Sequence, residues 1–469
     1  MEMKKTLPRC APEEQGVPSQ AVLGFLEFIQ KQTLRVHSYM IVKNGHVISE
    51  AWWKPFAPNL PHMLFSLSKS FTSIAVGFAV QERLVSVDDC VCQYFPEHLA
   101  ALEGQYDERF KRMKLRHLLT MSTGQAREAA FGENSIYNFI KTPLAHEPGS
   151  RFMYNTPATY MLSAVVQKVT GQRLSQYLTP RLFEPLGIED PIWDRCTMGI
   201  DMGGIGLNLR TEDIAKFGQF LLQKGVWNGE RLLDAAWIEA ASAKQADSSR
   251  FSTDPDWIQG YGYQFWRCRH NAFRGDGMFG QFCVIMPDQN AVVAITGSLD
   301  MQKMLDGVWE LLPALSGAPR NVRLATRTSA LKRKIAGLSH ITDEDAQKRD
   351  RTLEKSVSRR VYEIDRNWLG VHRMTVNFYD DDCQITLLGK NGAVKETFMA
   401  GMGTWKRTTT NAPFGAAYAK AVWAGDSFLR VDILFPETPF VAAYTFRFDG
   451  NNVWATRDTY RRFALSGRS

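Results

Sequence analysis

Leu64-Phe65-Ser66-Leu67-Ser68-Lys69-Ser70-Phe71-Thr72-Ser73-Ile74-Ala75-Val76-Gly77-Phe78-Ala79-Val80 is the stretch on which the reading of this chain turns. Phe71, Ile74, Ala75 and Phe78 recur at helical spacing, and the segment is apolar or small on nearly every side. Such a helix belongs in the middle of a large domain. It nevertheless carries Lys69, three residues after Ser66, so the two side chains share one helix face. A lysine stripped of water loses its preference for the charged form and can accept a proton. A serine hydroxyl needs such a base beside it to become a nucleophile. At the start of a helix, Ser66 also has backbone N–H groups nearby that can hold a developing oxyanion. The competing reading is a capping serine, Ser66 or Ser68, with Lys69 reaching out to water. Two fixed residues in four do not separate these readings, so the surrounding sequence has to.

Moving outward, Val36–Trp53 contains two strand-like runs joined by Asn44-Gly45, a hairpin signal. A short amphipathic helix, Leu23–Gln32, precedes it. Downstream the pattern is mainly helical to about residue 250. It includes Leu115–Met121, where His117 among leucines reads as a hydrogen-bonded core residue. Pro148-Gly149-Ser150-Arg151-Phe152-Met153-Tyr154-Asn155-Thr156 then sets Tyr154 just before a helix that Asn155 or Thr156 can cap. Alone, Tyr154 reads as a packing aromatic; beside Ser66 and Lys69 it becomes a candidate proton carrier. Gly203-Gly204-Ile205-Gly206-Leu207 opens a loop ahead of the helix Ile214–Leu222. Strand character is expected around Gly260–Trp266, over Ala272–Asp288 and over Ala291–Thr296. Gly275, Gly277 and Gly280 there let backbone approach a ligand closely. Strands at both ends of this region predict one antiparallel sheet closed by distant pieces around a helical insert.

After a helix over Lys303–Leu312, a basic stretch runs from Arg320 through Lys332-Arg333-Lys334 to Arg359-Arg360, interleaved with Asp343, Glu344, Asp345, Asp350 and Glu354. Period-two alternation then takes over (Met374, Val376, Phe378; Val431, Ile433, Phe435), with turns at Asn391-Gly392 and Gly450-Asn451. The expected organisation is a catalytic domain over 1–315, a linker over 316–358, and an antiparallel β barrel or sandwich over 359–469. The fold class is α+β.

The chain has 469 residues and a formal charge of +7. The excess of positive charge sits in the interleaved basic stretch, which reads as a solvated linker rather than a nucleic-acid surface. No apolar run reaches membrane-spanning length, and Met1–Arg9 lacks the core of a secretory signal. Seven scattered cysteines give neither a disulfide framework nor a metal-ligand spacing. The expectations are a cytoplasmic protein with no metal, no cofactor, no nucleic-acid or membrane partner, and a small-molecule substrate; a homodimer is left open.

Taken in order, these motifs resemble the serine β-lactamase-like superfamily, which includes class C β-lactamases, penicillin-binding proteins, related esterases, D-aminopeptidases and 6-aminohexanoate-dimer hydrolases. Ser66-Leu67-Ser68-Lys69 matches its S-x-x-K motif. The other carriers are Leu115–Gly124, Pro148–Asn155, Phe183-Glu184-Pro185-Leu186-Gly187, Gly203–Leu207 and Gly277-Met278-Phe279-Gly280-Gln281. The resemblance runs from about Pro12 to about Leu315. It implies a β-lactamase/transpeptidase-like domain and an acyl-enzyme on Ser66. Lys69 and Tyr154 would carry protons, with Tyr154 as base and then as acid toward the leaving group. It also implies an oxyanion hole from the Ser66 N–H and a residue after Gly280, Gln281 or Phe282. Asn155, Gly277, Gly280 and Gln281 would help bind substrate.

Two departures matter. Class C enzymes carry Tyr-x-Asn, whereas here Asn155 directly follows Tyr154 and Thr156 takes the Asn place. Their third motif is Lys-Thr-Gly or His-x-Gly, whereas here Gly275-Asp276-Gly277 offers no cation and only Arg274 stands next door. These losses favour a small ester or amide over a β-lactam. The alternatives are a β-lactamase or penicillin-binding activity, acyl transfer, or a binding protein of the same fold. Pocket walls are expected from the loops Ala126–Ile136 and Ala246–Ile258.

Overall fold

The computed structural model describes residues 6–317, 327–343, 349–367, 369–411, 415–458 and 463–468. Arg320, Glu344 and Asp345 of the basic stretch lie outside the described residues.

The first unit is built on a six-stranded antiparallel sheet. Its elements are α1 (Ser19–Lys31), β1 (Arg35–Lys43), β2 (His46–Trp52), α2 (Ser68–Gln81), α3 (Thr156–Thr170), α4 (Thr211–Leu222), β3 (Trp266–Arg267), β4 (Phe273–Gly277), β5 (Gln281–Met286), β6 (Ala291–Ser298) and α5 (Met301–Trp309). The strand order is β2-β1-β6-β5-β4-β3. The Asn44-Gly45 turn has both residues at positive φ, 50° and 77°, the backbone that a tight hairpin requires. The closure expected from distant pieces is present, with Tyr39 opposite Ile295 and Lys43 opposite Ala291. Because α4 packs against β1, β5 and β6, and Phe25 of α1 meets Tyr39 of β1 edge to face at 5.6 Å, β1 and β6 are buried along nearly their whole length. This is why they read as continuous apolar runs. Gly218 lets α4 sit close, since a Cβ there would lie 2.4 Å from Val292 Cγ1.

Every residue of α2 from Ser68 through Ala79 is buried. The helix packs on α3 and on β4, which places the start of α2 beside the open edge of the sheet. The expected strand over Gly260–Trp266 is mostly irregular, and only Trp266–Arg267 pairs as a strand. Gly260 at φ 118° and Gln264 at φ 66° break the extended backbone there. The Gln264 side chain is instead spent inside, donating to the Leu118 and Leu119 carbonyls and accepting from Thr159.

The second unit holds a ten-stranded sheet running from Tyr362–Ile364 to Phe463–Arg468. Its first strand pairs with its last, and Gly401 and Met402 pair in parallel with Lys420 and Ala421. The sheet thus closes into a barrel, which decides between the two architectures left open by the sequence. Alternate residues such as Val376, Ile385, Phe398, Val431, Tyr444 and Val453 fill its interior. Chain contacts assign 1–52 and 61–337 to the first unit, and 53–60 with 338–469 to the second. The basic stretch expected to act as one linker over 316–358 is therefore divided at Gly337. Its helix Arg327–Ala336 belongs to the first unit and its helix Arg351–Val357 to the second.

Candidate active site at the start of the buried helix

The turn into α2 is a short 3₁₀ segment, Phe65–Leu67, with Phe65 at φ 49°. A phenylalanine in left-handed backbone costs on the order of 1–2 kcal/mol. It is held there by Ser68 Oγ, which donates to the Phe65 carbonyl at 2.6 Å, and by β4 running alongside. The glycines of β4 make that approach feasible. A Cβ on Gly277 would stand 2.0 Å from the Leu64 carbonyl oxygen, and one on Gly275 would stand 2.4 Å from Ser70 Oγ. The outcome is a half-exposed Ser66 at the lip of the site.

Lys69 is 1% exposed and points back to Ser66. Its Nζ donates to Ser66 Oγ at 2.9 Å, to the Gly204 carbonyl at 2.9 Å and to Thr156 Oγ1 at 3.2 Å. Burial pushes its pKa down to about 7, against smaller upward pulls from Glu128 and Asp276. An ammonium buried among neutral oxygens is poorly compensated, so near neutrality the amine is partly deprotonated and can act as a base. The snorkelling alternative is excluded by this geometry.

The Tyr154 ring centroid lies 4.8 Å from Lys69 Nζ, and Ser66 is near enough to pull the Tyr154 pKa downward, against the larger effect of burial. Trp266 stacks on that ring at 5.7 Å. Burial raises the phenol above its ordinary value, and Asp276 and Glu128 add to the rise. Tyr154 is therefore a phenol, not a phenolate, in the resting site.

Asn155 does not face this site. It is fully buried, its Oδ1 caps α3 by accepting from the Ala158 N–H at 3.2 Å, and its Nδ2 donates to Gln125 at 2.6 Å. Thr156, in the place the family gives to Asn, is the one touching Lys69. The Gln281 side chain is likewise taken, donating to the Gly297 and Met278 carbonyls and accepting from the Gly297 N–H. Gln281 and Phe282 lie one strand in from the edge, opposite Gly277 and Asp276. Gly280 closes the β4–β5 turn at φ 96°, its N–H donating to the Gly277 carbonyl. Gly277 is the member of that set which adjoins the Ser66 turn.

Arg274 is fully buried. It bridges Asp276 at 2.8 Å, donates to the Asp256 carbonyl at 2.7 Å and lies over the Trp257 ring at 4.3 Å. Its charge is thus committed within the protein. The site also includes contributors that the linear motifs do not name: the Gly204 carbonyl, the Trp266 stack, and Glu128, whose carboxylate accepts from the Thr156 N–H at 2.7 Å. His117 accepts from the Lys114 N–H at its own helix start, hydrogen-bonded as expected, but it is half-buried on the wall of a cavity and not in the core. Among the described residues no group of three His, Cys, Asp or Glu side chains is placed to hold a metal ion. Among them, too, no helix is long and apolar enough to cross a membrane.

Ser66, Lys69 and Tyr154 all fall within the part of the chain that the comparisons match. The beta-lactamase family model matches residues 25–300, and the chain belongs to that family. The 6-aminohexanoate-dimer hydrolase of Paenarthrobacter ureafaciens is 24% identical over 280 residues, covering 55% of this chain and 71% of that protein. The octameric penicillin-binding protein homologue from Pyrococcus abyssi superposes with a TM-score of 0.51 at 16% identity, covering 95% of this chain and 99% of its own. EstCE1, a hydrolase with promiscuous acyltransferase activity, gives 0.52 at 17% identity over 65% of this chain and 99% of its own. At these identities the two structures establish the fold alone.

Proposed function

We propose that this protein is a serine hydrolase that cleaves a small ester or amide through an acyl-enzyme on Ser66. The observation carrying this is the 2.9 Å hydrogen bond from a buried Lys69 to a half-exposed Ser66. Neutral Lys69 takes the Ser66 proton as Oγ attacks the carbonyl carbon. The Ser66 N–H and the N–H of Met278, the first residue beyond β4, receive the oxyanion. Met278 is favoured over the residues after Gly280 because Gln281 and Phe282 face ladder partners. The proton then passes from Lys69 through the Tyr154 hydroxyl to the departing oxygen or nitrogen. With the phenol protonated at rest, Lys69 is the first base and Tyr154 the relay and acid. This ordering differs from a tyrosine that starts as the base. Water then attacks the acyl carbon, with the same groups run in reverse.

A β-lactam or a cell-wall peptide presents a carboxylate, and the only guanidinium at the third motif is already paired with Asp276. That supports an ester or amide without a carboxylate on this side of the site. The test is turnover of a short p-nitrophenyl ester by wild type and by Ser66→Ala, Lys69→Ala and Tyr154→Phe. Each variant should lose at least about a hundredfold in kcat, on the scale of general acid–base contributions. Full activity in Ser66→Ala would reject the reading.

A further inference from the structure

Two acids stand close enough to act on Lys69 and Tyr154, and they differ in how their charge is used. Asp276 is buried and paired with Arg274 at 2.8 Å. Glu128 is exposed and forms no ion pair with any of the described residues. Its Oε1 accepts from the Thr156 N–H at 2.7 Å, which fixes the carboxyl group at the start of α3. The Thr156 hydroxyl lies 3.2 Å from Lys69 Nζ, and Lys69 lies 2.9 Å from Ser66 Oγ. Glu128 is therefore three hydrogen bonds from the nucleophile. Its charge reaches both proton carriers, since it pulls the Lys69 pKa upward and adds to the rise at Tyr154.

Ala126 and Ala246, from the two loops expected to wall the pocket, border a cavity of about 930 Å³, as does Tyr154. The loop that carries Glu128 and the phenol thus share one open space. Holding the first turn of α3 accounts for Oε1 alone. Oε2 accepts nothing from the described residues, and a carboxylate oxygen can take further donors.

We propose that Glu128 is a further catalytic residue, one that holds the hydrolytic water for attack on the acyl-enzyme. The inference rests on the hydrolase reading and concerns only its second half. Oε2 accepts one O–H of the water, and the other O–H faces the Tyr154 oxygen. As the water oxygen bonds to the acyl carbon, its proton passes to the Tyr154 oxygen and the phenol proton passes to Lys69. The bond from that carbon to Ser66 Oγ breaks, Oγ takes the proton from Lys69, and the acid product leaves. Glu128 keeps its charge throughout, and water is the sole co-reactant. A charged acceptor holds an O–H more strongly than a neutral one, and a water already oriented has less freedom to lose. Water has two O–H groups and an alcohol has one. An alcohol that gives its proton to Tyr154 has none left for Glu128, so the carboxylate favours hydrolysis over acyl transfer.

The test gives a short p-nitrophenyl ester to wild type, Glu128→Gln and Glu128→Ala in the presence of methanol, at a pH above the Lys69 limb. Gas chromatography measures methyl ester against free acid, and the nitrophenol burst reports acylation. In Glu128→Gln the amide carbonyl stays on the Thr156 N–H, and the amide N–H groups donate where the carboxylate accepted. The ester-to-acid ratio should rise at least about tenfold in both variants, within what orientation contributes. The burst should persist, and the acyl mass should accumulate on Ser66. A role confined to Lys69 basicity or to the start of α3 slows both acceptors alike. An unchanged ratio in both variants, or equal loss of burst and turnover, therefore overturns the proposal. A wild-type protein without a burst sinks the hydrolase reading itself, and this inference with it.

Discussion

Lys69 sits where its charge is poorly solvated, and two measurable consequences follow from that one side chain. Its folded pKa of about 7 lies below the ordinary 10.5. Below pH 7 it is protonated in both folded and unfolded chains, so the full cost of burying the charge is present. Between 7 and 10.5 the unfolded chain binds more protons, and the cost falls away as pH rises. Lys69→Met should therefore abolish turnover while raising the melting temperature, most at or below pH 7 and least near pH 10, as calorimetry across pH will show. Glu128 pulls the amine's pKa upward. Glu128→Gln should then move the rising limb of the pH–kcat/KM profile to lower pH. A limb shifted upward, or none near 7 in wild type, would remove Lys69 as the base.

At the scale of elements, the site is a strand held against a turn. Gly277→Ala would drive a methyl into the Leu64 carbonyl, and the strand or the turn must yield. The expected result is a loss of at least about a hundredfold in kcat with a folded protein by circular dichroism; retained activity would show that β4 does not position Ser66. Asn155→Ala removes the cap of α3 and leaves the buried Gln125 short of a donor. It should cost about 1–2 kcal/mol in urea unfolding, with Asn155→Asp recovering the cap in part. These elements also divide what was legible from what was not. The contact of Ser66 with Lys69 was legible because helical spacing puts i and i+3 on one face, but only the motifs in order separated a nucleophile from a capping serine. Tyr154 read alone as a packing aromatic and became a candidate only in company with that pair. The second contact of Lys69, the Gly204 carbonyl 135 residues away, follows no local period. Nor does the Arg274–Asp276 pair, since alternation along a strand says which side chains share a face, not that one neutralises the other.

Over the whole molecule, the antiparallel closure of β1 on β6 could be inferred because apolar runs flank a helical insert. The closing strands of the barrel were legible as alternation. Its closure was not, because the parallel pairing of Gly401 with Lys420 depends on curvature and leaves no sequence pattern. The assignment of 53–60 to the second unit was also hidden, since it rests on Trp53 and Phe56 packing against His340 and on backbone bonds from Lys54 to Leu338 and from His340 to Lys54. Trp53 and Phe56 are 7% and 6% exposed. Ending the chain at residue 337 would strip them of these partners, so that truncation should aggregate more readily than the full chain in size-exclusion chromatography. A truncated chain as monodisperse as the full one would show that the segment makes its contacts elsewhere.

The central claim is that Ser66 is a nucleophile activated by its neighbours. The most direct measurement is intact-mass spectrometry of the full chain after exposure to a fluorophosphonate, followed by peptide mapping. The account predicts one adduct, on Ser66, forming faster as pH rises through 7 and absent from Ser66→Ala and Lys69→Met. An unmodified wild-type protein, or an adduct that persists in Ser66→Ala, would contradict it.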